Sequence, residues 1–280
     1  MSKKPYIVIN IIVLGSTIML FIYKDFSDIK PIIMDINYLD GFLLLITGLI
    51  VYILKCLRLY IILYGKGISM EEHLKQFCKT TAVSILLPFK LGELFRAYCY
   101  SYQLKNSMLG ISSIIIDRFY DTAALLTILG LFIVMGKMPV TALFLGMLIF
   151  SLLVILAYTS FSAIYTYWNH YFLISRASEN NLRSLVFLDK AKRIYKELAL
   201  LIQGRSILLL LLSLIAWMIE IGSISILSVL KAEAITANVS AYLNAAMGLG
   251  DSINHWYFIS VSLVLLFVLY VVLHISWLKD

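Results

Sequence analysis

An all-α integral membrane protein, a polytopic helix bundle of about six spans plus a proline-broken re-entrant helix pair, is the fold class this sequence predicts. Three observations predict it. The chain has 280 residues, is 61% hydrophobic and carries only 14% charged residues, against roughly a quarter charged in a soluble domain. Six apolar runs are each about 18 residues or longer, the length that ~30 Å of hydrocarbon requires at ~1.5 Å of rise per helical residue. One stretch between the second and third runs, "SILLPFKLGELFRAY" at 84–98, sets a proline, a lysine, a glutamate and an arginine within apolar sequence.

Each element follows in chain order. The first run, 6–23, comes after Lys3 and Lys4 and is too long for a signal-peptide core, so it reads as a retained signal anchor. The second, 40–64, ends in a basic stretch with Lys55 and Arg58. The segment 74–103 is not a crossing. Only Thr80 to Leu87 could sit deep, and eight residues give roughly 12 Å of helix. Pro88 removes a backbone donor and disfavours helical geometry at Leu87, and Gly92 loosens the chain beyond it. The segment therefore enters, breaks near mid-membrane and leaves on the same side, with broken backbone held by protein or a hydrated cavity. The remaining spans are expected at 108–135, 139–165, 206–230 and 255–277. A degenerate inverted repeat is also expected, since inverted repeats with broken helices at corresponding places are a transporter hallmark. Residues 182–203 place Leu188, Ala191, Ile194, Leu198 and Leu201 on one stripe, with Lys190, Lys192, Arg193 and Lys196 opposite, as an interfacial helix does. No stretch outside the spans is long enough for a soluble domain of ordinary size, so 1–280 reads as one membrane domain.

A net charge of +7 invites a nucleic-acid reading, which the placement of the charge removes. With the N-terminus inside, 14 of the 23 Lys and Arg fall on the inner side, four on the outer side, and five within apolar segments. That asymmetry is the positive-inside rule for two cytoplasmic termini in the cell membrane, and anionic lipid is the natural counter-charge. Cys56, Cys78 and Cys99 lie in or near the membrane at no metal-site spacing and read as small apolar residues. His73, His170, His255 and His274 are scattered, so neither metal nor cofactor is expected.

The charges inside the spans carry the function. Each costs on the order of 2.5–3.5 kcal/mol at a helix centre, so they converge or snorkel. Glu93 and Arg96 share a helix face, as do Asp117, Arg118 and Asp121, and Glu220 lies mid-way along the fifth span. Five cations (Lys55, Arg58, Lys90, Arg96, Arg118) face four anions (Glu93, Asp117, Asp121, Glu220). Clustered, they leave one positive charge and, at Pro88, the amide end of the exit helix, which suits a phosphate-bearing ligand. Lys55 and Arg58 also fit interfacial snorkelling, and Arg118 with Asp121 a structural pair.

At "LP-x-x-x-GE-x-x-RA", Leu87 to Ala97, and "ISSIIIDRFYDTAALL" at 111–126, the sequence resembles the flippase-like transmembrane domain of the lysylphosphatidylglycerol synthase family. "LKCLRLYIILYG" at 54–65 and "LIAWMIEIGSISIL" at 214–227 extend the resemblance. It implies a domain that moves lipid between leaflets. The aminoacyl-transferase domain of the family has no counterpart in these residues, so the resemblance implies no lysyl-lipid synthesis by this chain. The family's second re-entrant element is represented only by "NAAMGLGDSINHWYF" at 244–258, with Gly248, Gly250 and Asp251 but no proline or matching Glu. The expected function is a non-enzymatic lipid flippase or scramblase-like transporter for an anionic headgroup. Its expected site is Pro88, Lys90, Gly92, Glu93, Arg96, Asp117, Arg118, Asp121, Glu220 and Arg58. The alternative is a membrane scaffold or regulator that binds anionic lipid or partners a lipid-modifying or glycosyltransferase enzyme of cell-surface glycan synthesis.

Overall fold

The computed structural model describes residues 3–20, 37–87, 91–174, 179–231, 234–246 and 252–277. Among them it has ten helices and no strand: α1 (Lys3–Leu20), α2 (Tyr38–Leu63), α3 (Met70–Leu86), α4 (Leu91–Gln103), α5 (Ser107–Val134), α6 (Ala142–Ile174), α7 (Glu179–Ile202), α8 (Ser206–Leu230), α9 (Ile235–Ala246) and α10 (Ile253–Trp277). Tyr38–Leu63, Ala142–Ile174, Ser206–Leu230 and Asn254–Val272 are long and apolar enough to cross a membrane. Helix α5, at 28 residues, has the length but carries three charges near its middle, and α1 has 18 residues. Helices α1, α2, α5, α6, α8 and α10 overlap the six apolar runs in order.

The broken segment is a helical hairpin. A capping box starts α3, where Ser69 Oγ accepts from the Glu72 amide at 3.2 Å and the Glu72 carboxylate accepts from the Ser69 amide. Helix α3 ends at Leu86 and α4 begins at Leu91. A β-carbon on Gly92 would lie 2.2 Å from Ser84 Cα, so glycine is required where the two arms meet. At the other end the Tyr100 hydroxyl reaches His73 Nδ1 at 3.2 Å. Both open ends of the hairpin therefore lie together, as the same-side reading requires.

Helix α9 is the element the sequence reading did not foresee. It packs back along α8, Asn238 Nδ2 donating to Ser228 Oγ (3.1 Å) and the Tyr242 hydroxyl donating to Glu220 Oε1 (2.6 Å). Twelve residues give roughly 18 Å, less than a crossing. Lys231, just after α8, pairs with Asp40 at the start of α2 at 3.4 Å, whereas the α3–α4 hairpin follows the end of α2. The two short insertions thus adjoin opposite ends of α2. Gly248, Gly250 and Asp251 lie outside the described residues.

Helix α2 runs along α8, α10 and α5, and two apolar cores form around it. One gathers Leu44, Val51, Ala124, Leu129, Ile224 and Leu243, and the other Leu59, Ile62, Phe77, Tyr100, Ile116 and Leu209. Residues 52–58 of α2 and 117–121 of α5 fall where one core passes into the other, and that is where the charges sit. Helix α7 packs on α5 and α6. Its stripe departs from expectation: Leu201 is buried, but Ile194 is exposed, and Tyr195 instead stacks on Phe161 with ring centres 4.6 Å apart. Lys192 lies 4.2 Å over Tyr165 rather than on a solvated face.

Candidate functional site

Three helices, α2, α4 and α5, deliver charged side chains to one place, and α8 adds Ser213. Arg58, on α2, is 1% exposed; its Nε donates to Asp117 Oδ1 (2.7 Å) and its Nη1 to Asp121 Oδ1 (3.0 Å) and Ser213 Oγ (2.7 Å). Asp117 is fully buried and faces two further guanidiniums, Arg118 Nη2 at 3.0 Å and Arg96 Nη1 at 3.6 Å. Arg118 also reaches Glu93 at 3.4 Å and Asp121 at 3.7 Å. Fixed forks with five donors are the side chains that can share one carboxylate in this way.

The expected Glu93–Arg96 pair is present but long, at 3.9 Å, and Arg118 is the closer partner of Glu93. Arg96 is the unusual member. It is 1% exposed, its nearest carboxylate is at ion-pair rather than hydrogen-bond distance, and its Nε and Nη2 are buried with no hydrogen-bond partner among the described residues. The face of Phe77 lies 5.0 Å from its guanidinium carbon. Buried donors left unmade are costly, and a ligand oxygen is the partner they fit. Arg118, 39% exposed at its side chain, with Glu93 at 20% and Asp121 at 17%, forms the open side of the cluster.

A second group lies along α8. Lys55 Nζ meets Glu220 Oε2 at 3.3 Å, Tyr242 holds the other oxygen of Glu220, and the rings of Trp217 and Tyr52 stand 5.5 Å and 5.9 Å from Nζ. Arg58 and Lys55 are therefore paired inside the bundle and do not snorkel to an interface, because oppositely charged residues on α5 and α8 meet them there. Arg118 and Asp121 belong to the same network, not to an isolated pair. Pro88 and Lys90 lie outside the described residues. Without Lys90 the described cluster holds four cations and four anions, so the surplus charge expected from the sequence rests on Lys90 alone.

The sequence reading missed two positioning groups. His73, completely buried, donates from Nε2 to the Cys56 carbonyl (3.0 Å), since a carbonyl can only accept, and in the neutral ring Nδ1 accepts from Tyr100. This ties α2, α3 and α4 together one turn from Arg96. Lys79, expected outside the spans, is part-buried and donates to the Tyr6 hydroxyl (3.1 Å) and Asn10 Oδ1 (2.9 Å), fastening α1 to the hairpin. No spacing marks either residue, because their partners are distant in sequence.

Long apolar helices closed around buried, mutually paired charges define a multi-pass helical membrane protein. The family model for the lysylphosphatidylglycerol synthase TM region matches residues 7–250, and the chain belongs to that family. No curated protein and no solved structure matches it.

Proposed function

We propose that this chain is a lipid flippase or scramblase-like transporter that passes an anionic, phosphate-bearing headgroup between the leaflets of the cell membrane, with both termini cytoplasmic. The observation that carries the reading is Arg96: a buried guanidinium with two nitrogens unpartnered among the described residues, set at the root of a helical hairpin that stops short of a crossing. A phosphate oxygen would complete its donors in a bidentate contact. The partly open Arg118, Glu93 and Asp121 offer a polar way in from one side, and the two insertions at opposite ends of α2 support a carrier more than a fixed scaffold. The charged residues are engaged with one another, an arrangement suited to passing a headgroup along and one that leaves the lipid chemically unchanged.

The test is a leaflet-accessibility assay in phosphatidylcholine vesicles carrying fluorescent phosphatidylglycerol. Arg96→Ala should fold, insert and lose translocation by about tenfold or more, as loss of charge-assisted bonds implies. Arg96→Lys keeps the charge without the planar fork and should fall between. Leu94→Ile, on an exposed neighbouring position, should be silent. Wild-type rates in Arg96→Ala would replace this reading with the scaffold, for which the long and broadly exposed α6 would be the docking helix.

A further inference from the structure

The geometry points to a second phosphate station at Lys55 and Trp217, farther along the bundle than Arg96, where the same headgroup rests before release. The assignment rests on the translocation reading above and extends it. The two cations of α2 differ in kind. Arg58 is fixed by three hydrogen bonds, to Asp117, Asp121 and Ser213, and moves only by breaking them. Lys55 makes one, to Glu220, on a flexible stem that is 17% exposed. If Lys55 swings away, Glu220 keeps the Tyr242 hydroxyl at 2.6 Å, so the carboxylate is not abandoned.

Trp217 is the independent sign of a ligand. It is 6% exposed, its Nε1 is buried without a partner among the described residues, and its ring lies 5.5 Å from Lys55 Nζ. An indole N–H and an ammonium at that separation can share one phosphate oxygen or two oxygens of one phosphate. Glu220 stands seven residues beyond Ser213 on α8, roughly 10 Å along the axis from the level of Arg58. A headgroup leaving Arg96 thus meets Arg58, a strut whose fork is pinned by three bonds although its Nη2 is unpartnered among the described residues, and beyond it Lys55 as the next mobile donor.

The experiment reads Trp217 alone, with Trp168, Trp256 and Trp277 replaced by phenylalanine, in phosphatidylcholine vesicles containing phosphatidylglycerol spin-labelled on its headgroup. Quenching of Trp217 should saturate with the labelled fraction, while Trp168 on exposed α6, read as the only tryptophan, should be quenched in proportion to it. The pair Lys55→Met with Glu220→Gln, which leaves neither charge buried alone, should weaken the saturable quenching about tenfold. Arg96→Ala should stop translocation and leave that quenching in place. Unsaturable quenching of Trp217, or quenching indifferent to the double variant, overturns the station. Relief by inorganic phosphate alone overturns its assignment to a lipid headgroup. Saturable quenching in a wild-type protein that translocates nothing sinks the transport reading and leaves the station standing.

Discussion

Arg58 shows how one side chain can decide whether a site forms. It is buried to 1%, and it holds the carboxylates of Asp117 and Asp121 and the hydroxyl of Ser213 at once. Arg58→Ala removes one partner of a buried network and should destabilise the protein by about 3–5 kcal/mol, read as a fall in the midpoint of thermal unfolding in detergent. Arg58→Lys should recover only part of that, because an ammonium cannot reproduce the fork. His73→Ala should cost about 1–3 kcal/mol by removing the bond to the Cys56 carbonyl and leaving the Tyr100 hydroxyl without its acceptor, and His73→Gln, which can donate to one and accept from the other, should restore part of it. Residues of this kind were half legible in the sequence. Spacing of three or four exposes partners on one helix, so Glu93 with Arg96 and Arg118 with Asp121 could be read directly. Arg58 and Asp117 stand 59 positions apart, and only the packing of α2 on α5 introduces them. Composition showed that the charges had to converge; it could not show that three guanidiniums would share Asp117.

At the level of helices, the α3–α4 hairpin depends on contact between bare backbones. Gly92→Ala would push a methyl to within 2.2 Å of Ser84 Cα, and Gly110→Ala, on α5, would meet the Ser101 amide at 2.4 Å. Backbone cannot yield as a flexible side chain does, so each should cost at least the roughly 1–3 kcal/mol typical of overpacking and should speed limited proteolysis at the hairpin. Gly130→Ala, with open space around its α-carbon, is the control and should leave the cleavage pattern unchanged. The hairpin was legible because Pro88 and the length of the apolar run break the pattern together. Helix α9 was not, since "ITANVSAYLNAA" is too short to read as a span and carries no breaker at its start. Helix α6 runs to Ile174, beyond the expected end at 165, because its aromatic tail keeps helical geometry after its hydropathy falls. Arg205 escaped notice for a third reason: it donates to the Ile61 and Ile62 carbonyls at the end of α2, a cap made by a residue 143 positions away.

For the molecule as a whole, the same-side hairpin fixes the count of crossings. In a variant with Cys56, Cys78 and Cys99 replaced by alanine, single cysteines at Lys75 and Lys105 should label from one and the same side of the membrane. Labelling from opposite sides would add a crossing and undo the arrangement of Arg96 against Asp117. The seam between the two cores also bears on how the protein is made. Helix α5 brings two carboxylates and one guanidinium into the bilayer, α2 two cations, and α8 one carboxylate. Released singly into lipid, each helix would face on the order of 2.5–3.5 kcal/mol per uncompensated charge. Synthesis delivers α2 long before α5, and α8 later still. Helix α2 must therefore linger beside the insertion machinery, or at the water interface, until its counter-charges emerge. The ion pairs of the finished protein are in this sense a timetable for its birth, and disruption of Arg58 or Asp117 should appear first as chains degraded during biogenesis, before any defect in the mature protein could be measured.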